Sequence, residues 1–260
     1  MLSRFKKSLS VSNPRVETLG YGSTALQPVF AIFAFLLASL IPNLSLAAED
    51  PLPRVLLLGD FVYSEPSRQL QKELKGKVQI HYPRYDPGFV LNTTSALENF
   101  DKLIGEEKWD LIHFNFGLGD LIYRAPGMKA FRVYPKPAGG IRTTSPGQYQ
   151  ENLIELVKRL KVTNAKLVWA STTPIRHSST YVFEKGSEIH YNTIATKVMK
   201  ENGIRINDMH TFAKSVMNME TPASHGADPF NFDKKPIYAP ILKVIQQELG
   251  VTLASAEGSK

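Results

Sequence analysis

The stretch that most constrains the fold of this chain is RVLLLGDF, residues 54–61. Arg54 to Leu58 form an apolar run of strand length that Gly59 ends, which indicates a strand buried inside a parallel sheet. Gly59 and Asp60 then begin a loop at the carboxyl end of that strand, which is where open α/β sheets bind their ligands. The sequence therefore predicts a candidate site directly after its first strand.

The rest of the chain alternates between strand-like and helix-like segments. Further strands are predicted at 78–82, 111–116, 166–170 and 204–206. Helices are predicted at 67–74, after a capping box at Ser95–Glu98, and at 146–161, 187–202, 209–217 and 236–249. Five such alternations predict a flavodoxin-like three-layer α/β sandwich with a mostly parallel five-stranded sheet. The connection at 121–144 is predicted as a long loop, and loops of this length are usually functional or disordered.

Residues 1–48 have the pattern of a secretory signal peptide. Arg4, Lys6 and Lys7 precede an uncharged apolar run at 29–41, and small residues stand before a predicted cleavage after Ala47 or Ala48. An uncleaved signal anchor is the alternative, because the polar start is long for a signal. Both interpretations predict a secreted, periplasmic or cell-envelope protein, with a domain at 53–250 and a flexible tail at 251–260. Contact with a membrane is then expected only through an uncleaved leader.

Composition excludes several function classes. The chain has no cysteine, so disulfides, thiolate catalysis and cysteine-based metal sites are excluded. Its six histidines form no metal-binding spacing and no glycine-rich phosphate loop is present, so no metal or cofactor is predicted. The net charge of +7 is spread along the chain without a clustered basic motif, which predicts no binding to nucleic acid.

Several stretches resemble the SGNH/GDSL hydrolases. Residues 54–61 resemble the first block of that family, an apolar strand that runs into Gly-Asp-Ser, and residues 108–121 resemble the third block, a strand followed by Gly-x-Asn-Asp. Residues 166–174 and 191–208 are similar to the fourth strand and the following segment of secreted bacterial members. Asp228-Pro-Phe-Asn231 stands where the family has Asp-x-x-His. The resemblance covers roughly residues 53–250, and it implies the fold of small secreted esterases that act on acylated carbohydrates or similar esters.

The resemblance also implies that the catalytic groups have been replaced. In the family a serine attacks the ester, a histidine oriented by an aspartate takes its proton, and an asparagine side chain helps to hold the oxyanion. The matching positions here are Phe61, Asn231, Asp228 and Gly119. Phe61 has no hydroxyl and the amide of Asn231 cannot act as a base. We therefore expect a catalytically degenerate protein that keeps the crevice and binds an acylated or anionic carbohydrate-type ligand.

Two other functions remain open at this stage. One is an active acylesterase or acetylesterase with relocated residues, for which Ser64 and His225 are the candidates. The other is an interaction protein that an uncleaved leader anchors in the cell envelope. The sequence alone does not decide whether the chain is an enzyme.

Candidate binding residues come from the retained polar positions and from the long loop. Asp60 and Asp120 could face a ligand or could bond loop amides, and Asn115 could reach the crevice. His113, inside an apolar strand, is expected to be a core histidine. The loop at 121–144 alternates aromatic and basic residues, so Arg124 and Arg132 are predicted to bind an acidic or acylated glycan. The alternative is an ordinary lid whose basic side chains lie along its surface.

Overall fold

The computed structural model describes residues 51–128, 130–220 and 237–252. The predicted leader at 1–48, nearly all of the tail, and Asp228, Asn231 and His225 lie outside these ranges. Among the described residues, no helix combines the length and the hydrophobicity that crossing a bilayer requires.

The fold is organised around one parallel sheet of five strands. These strands are β1 (Arg54–Leu58), β2 (Gln79–His81), β3 (Leu111–Phe114), β6 (Lys166–Ala170) and β7 (Arg205–Asn207), in the order β2-β1-β3-β6-β7. Two further strands, β4 (Tyr123–Arg124) and β5 (Ile141–Arg142), form a small antiparallel pair outside the sheet. Helices flank the sheet, so the predicted α/β fold is confirmed.

Eight helices belong to the described part of the chain. They are α1 (Ser64–Glu73), α2 (Thr93–Glu98), α3 (Phe100–Ile104), α4 (Leu118–Leu121), α5 (Pro146–Val162), α6 (Ser187–Glu201), α7 (Met209–Val216) and α8 (Ala239–Leu249). Short 3-10 turns lie at Phe61–Tyr63 and Lys136–Ala138. Helix α1 begins three residues earlier than the sequence predicted.

The central strands are buried on both sides, which explains their continuous apolar sequences. All four residues of β3 are buried, and its neighbours Leu57 and Val168 are fully enclosed. In the register of the sheet, Leu57 of β1 and Val168 of β6 both lie opposite His113. A strand covered on both faces has no polar side to expose, so its sequence does not alternate.

His113 is a core histidine, as predicted. Its Nε2 accepts a hydrogen bond from the side-chain amide of Asn207 at 3.0 Å. Burial lowers the pKa of His113 to about 3, so the ring stays neutral at physiological pH.

The start of α2 corrects the predicted capping box. Asn92, not Ser95, is the N-cap, and its side chain accepts a hydrogen bond from the Ser95 amide at 2.9 Å. Ser95 is the third helical residue, and its hydroxyl accepts in return from the Asn92 amide at 2.9 Å. The two bonds satisfy amides that an uncapped helix would leave without partners. They also fix the segment before α2, which forms one wall of the site.

Candidate functional site

A cleft of about 610 Å³ lies at the carboxyl ends of β1, β2 and β3. Its described lining is largely apolar and comes mostly from the segments that follow these strands, with Phe183 added from the segment after β6. Phe61, Tyr82, Tyr85, Phe89 and Phe183 supply the aromatic part, and Val90, Leu91, Leu118 and Ile122 supply the aliphatic part. Its ionisable groups other than the tyrosines are Asp60 and Arg84. A cleft of this size and composition suits a small organic ligand.

Phe61 stands at the position that the resemblance assigns to the nucleophile. It opens the 3-10 turn that leads from β1 into α1, and the side chain of Asp60 caps this turn by accepting from the Val62 amide at 3.0 Å. Phe61 is 60% exposed and lines the cleft. The turn therefore presents a benzyl group where the family presents a hydroxyl.

Two tyrosines that sequence reasoning did not single out hold the backbone of this turn. The Tyr82 hydroxyl donates to the Asp60 carbonyl at 2.8 Å, and the Tyr85 hydroxyl donates to the Gly59 carbonyl at 2.7 Å. Tyr85 also stacks on Phe89 with ring centroids 5.4 Å apart. One wall of the cleft is thus fastened directly to the end of β1. The sequence signal is weak, since two tyrosines in a proline-containing loop have no specific spacing.

Asp60 is buried where its turn meets the cleft. Burial raises the pKa of its carboxyl group to about 7, and the hydrogen bond from the Val62 amide opposes this shift only partly. The carboxyl group therefore titrates near neutral pH in the folded chain.

This shift predicts that stability falls as pH rises through a defined window. The folded chain keeps the proton of Asp60 up to about pH 7, whereas the unfolded chain releases it near pH 3.8. Because the folded state binds more protons between these values, stability is lost as pH rises from one to the other. We expect the melting temperature of Asp60→Asn to exceed that of the wild type by roughly 10 °C more at pH 8 than at pH 4. Calorimetry at both pH values tests this, and equal differences would contradict it.

Gly119, at the position that the resemblance assigns to the family's asparagine, leaves no room for a side chain. It lies in α4, and a Cβ atom built on it would stand 1.9 Å from the backbone carbonyl oxygen of Leu91. The segment before α2 therefore packs directly against the backbone of α4. A side-chain donor for an oxyanion is absent at this position and would not fit without movement of that segment.

Asp120 and Asn115 are buried and hydrogen-bonded and do not line the cleft, which agrees for Asp120 with the alternative that it bonds loop groups. Asp120 is fully buried, and its carboxylate accepts from the amide of Thr93 at 3.0 Å and from its hydroxyl at 2.6 Å. Asn115 is buried too, and its amide donates to the Ala170 carbonyl at 2.8 Å and to the Thr172 hydroxyl at 3.1 Å. Both side chains hold loops together at the end of the sheet instead of facing the cleft.

Arg124 and Arg132 do not line the cleft either, so their predicted contact with a glycan stays a prediction about the surface of the loop. The predicted loop is an ordered excursion in which β4 pairs with β5 and Arg124 also bridges to Val133. Its backbone is joined to the segment 181–184, since Tyr123 N–H donates to the Val182 carbonyl at 2.8 Å and Lys136 N–H to the Tyr181 carbonyl at 3.0 Å.

Of the two proposed substitute residues, Ser64 and His225, only Ser64 belongs to the residues that the structure describes. Ser64 lines the cleft in the first turn of α1. No histidine lines the cleft within residues 51–128, 130–220 and 237–252. Over the same ranges, no group of three or more His, Cys, Asp or Glu residues is arranged to hold a metal ion.

Comparison with known proteins gives similarity in structure alone. No family model matches the sequence, and no curated protein matches it. Among solved structures, the lipase/acylhydrolase from Enterococcus faecalis superposes with a TM-score of 0.53 at 12% identity, covering 79% of this chain and 100% of that one. A putative GDSL-like lipase from Parabacteroides merdae gives 0.52 at 11% identity, covering 77% and 96%. The chain has the SGNH/GDSL hydrolase fold.

A third similar structure adds a carbohydrate esterase with this fold. The acetylxylan esterase Axe2 from Geobacillus stearothermophilus superposes with a TM-score of 0.51 at 12% identity, covering 79% of this chain and 97% of that one. A cleft at the carboxyl end of β1 is where open α/β sheets bind their ligands. Identities this low leave the activity to be argued from the residues of the cleft.

Proposed function

We propose that this chain is a catalytically degenerate SGNH-type protein that binds an acylated carbohydrate, or a similar ester, without cleaving it. The proposal depends chiefly on Phe61, which stands at the position that the resemblance assigns to the nucleophile and whose ring lines the cleft. Export from the cytoplasm is part of the same proposal and depends on the sequence pattern of the leader.

The chemistry of the cleft argues against hydrolysis. Acyl transfer needs a nucleophile, and loss of that group alone typically costs several orders of magnitude in rate. Phe61 supplies no such group, and Gly119 cannot place a donor on a developing oxyanion because its Cβ position is occupied by the Leu91 carbonyl. Neither Phe61 nor Gly119 therefore supplies the group that the reaction needs at its position.

The lining of the cleft supports the ligand class. Aromatic rings such as Tyr82 and Phe183 can cover an acyl chain or the apolar face of a sugar ring, and Arg84 can pair with an anionic substituent. Axe2, which has the same fold, is named as an acetylxylan esterase, and acetylxylan is an acylated carbohydrate. Its name agrees with the ligand class proposed here.

Titration of the full-length protein with a sugar ester tests the proposal. We expect sucrose monolaurate to bind, sucrose alone to bind far more weakly, and no lauric acid to be released. Phe61→Ala should weaken binding about tenfold, because the ring of Phe61 lines the cleft and an aromatic contact contributes about 1 kcal/mol beyond its buried area. Ile154→Ala, which removes an exposed aliphatic side chain from α5, is the matched control and should bind as the wild type does.

The alternative function predicts the opposite result in the same assay. Ser64 lines the cleft, which favours an active esterase with a relocated nucleophile as the second candidate. Release of lauric acid by the wild type, abolished in Ser64→Ala or His225→Ala but retained in Ile154→Ala, would support that enzyme and overturn the binding protein. Equal affinity for the ester and for sucrose would contradict the ligand class instead.

A further inference from the structure

The excursion between α4 and α5 forms a small sheet with two different faces. Arg124 lies opposite Ile141 across one strand pair and opposite Val133 across the other. Residues directly opposite in antiparallel strands share a face, so Val133, Arg124 and Ile141 form one row, here called the outer row. Tyr123 and Arg142 also lie opposite each other and belong to the other face.

The inner face is fastened to the protein. Tyr123 is buried, and Arg142 lies over its ring at 5.3 Å and over the ring of Tyr191 at 5.8 Å. Glu184 accepts from the Tyr123 hydroxyl at 2.9 Å, from Lys136 at 3.0 Å and from Arg142 at 2.7 Å. These contacts hold the pKa of Glu184 below its usual value, with the hydrogen bond from Lys136 as the largest cause. The outer row is therefore presented to solvent on a fixed support.

The outer row combines exposed apolar side chains with positive charge. Val133 and Ile141 are 43% and 44% exposed, and nearby Met128 is 42% exposed. Residues 121–144 include five basic residues and no acidic one. Glu184 pairs with Lys136 and Arg142, whereas Arg124 and Arg132 form no ion pair with any described residue. A partner that covers both the outer row and these arginines would pair best if it were anionic and accepted aliphatic groups.

Ala125 N–H donates to the Arg132 carbonyl, so Arg132 and the loop residue Met128 lie at the tip of this hairpin and not in the outer row itself. We propose that the outer row, together with Met128 and Arg132 at this tip, docks onto the surface of an anionic lipid bilayer. Aliphatic side chains can enter the boundary between headgroups and acyl chains, and arginines can contact the lipid phosphates. A soluble acidic glycan would satisfy Arg124 and Arg132 but would leave Val133 and Ile141 in water. The outer row is distinct from the cleft, but the two are close in the chain, because Ile122, the residue before β4, lines the cleft. Docking would thus bring the cleft close to the lipid headgroups.

Vesicle sedimentation with the full-length chain tests this docking. We expect stronger binding to vesicles of phosphatidylcholine mixed with phosphatidylglycerol than to phosphatidylcholine alone. Arg124→Gln combined with Arg132→Gln should weaken binding to the anionic vesicles about twenty-five-fold, because each cation near such a surface contributes about 1 kcal/mol, or about five-fold. Val133→Ser combined with Ile141→Ser should also weaken it, but with the salt dependence unchanged.

The control removes two charges elsewhere on the surface. Lys158→Gln combined with Lys197→Gln changes exposed residues of α5 and α6 and gives the same net charge as the arginine pair. All variants keep the same leader, so differences between them report on the excursion alone, and melting temperatures confirm that each is folded. The proposal would be overturned if the double lysine variant bound anionic vesicles as weakly as the double arginine variant. It would also be overturned if the double arginine variant bound them as strongly as the wild type.

Two further measurements distinguish membrane docking from glycan binding on the same surface and from sugar-ester binding in the cleft. If the arginine pair loses binding to polygalacturonic acid but keeps vesicle binding, the surface is a glycan site and the membrane proposal is wrong. Phe61→Ala should leave vesicle binding unchanged, so failure of the sugar-ester proposal is distinguishable from failure of this one. Loss of vesicle binding in Phe61→Ala would mean that the cleft, not the outer row, contacts the lipid.

Discussion

Gly119→Ala is expected to lower the free energy of unfolding by about 3 kcal/mol, the upper part of the range for overpacking a well-packed site. The added Cβ would stand 1.9 Å from the carbonyl oxygen of Leu91, and this obstacle is backbone instead of a flexible side chain. Relief requires that α4 and the segment before α2 move apart, which would also disturb the cap formed by Asn92 and Ser95. Urea denaturation followed by circular dichroism measures the loss.

Gly147→Ala provides the matched control for Gly119→Ala. Gly147 lies in the first turn of α5, and a Cβ built on it meets no atom within 4 Å. The helical propensity of alanine should therefore leave the protein as stable or more stable by up to about 1 kcal/mol. If both variants lose the same stability, the close contact at Gly119 is not the cause. If Gly119→Ala is neutral, the segment before α2 yields easily and an asparagine could be introduced there.

Asp120→Ala is expected to destabilise the protein by about 3 kcal/mol. The carboxylate accepts from both the amide and the hydroxyl of Thr93, and none of these groups reaches water. Removing the acceptor leaves buried donors without partners, and each such group costs about 1 to 3 kcal/mol. Burial raises the pKa of Asp120 to about 6, so denaturation at pH 8 compares the ionised wild type with the variant.

Thr93→Val separates the two hydrogen bonds on Asp120. It removes the hydroxyl donor but keeps the amide, so it should cost less than Asp120→Ala, and a double-mutant cycle should show strong coupling between the two positions. A loss below about 0.5 kcal/mol in Asp120→Ala would mean that the contact with Thr93 is not important for stability. A ligand-facing role for Asp120 would then regain support.

The sheet could be predicted because its signals are local. The apolar runs of β1, β3 and β6 have no polar face, and helical segments with apolar faces separate them along the chain. Helix boundaries were predicted less well, because two overlapping patterns fit the start of α2. Both Asn92-x-x-Ser95 and Ser95-x-x-Glu98 resemble capping boxes, and only the extended backbone of Asn92 decides between them.

The candidate site was predicted less completely than the fold. Phe61 and Gly119 were identified by their positions in the sequence, and both stand at the cleft. Asn115 and Asp120 follow a buried strand and were expected near a ligand, but the sequence does not indicate that Thr172 and Thr93 are their partners. The pairing of Arg124 with Val133 and Ile141 depends on long-range contacts, which no local pattern specifies. Tyr82 and Tyr85 were missed for the same reason.

The contacts of Glu184 join the excursion to residues 181–184, and this junction bears on how the two segments unfold locally. One carboxylate receives hydrogen bonds from three side chains of the excursion, and backbone bonds from Tyr123 and Lys136 reinforce the same junction. Breaking any single bond leaves the others to hold both segments in place. We therefore expect the excursion and residues 181–184 to unfold locally as one cooperative unit, so that their amides exchange with solvent together.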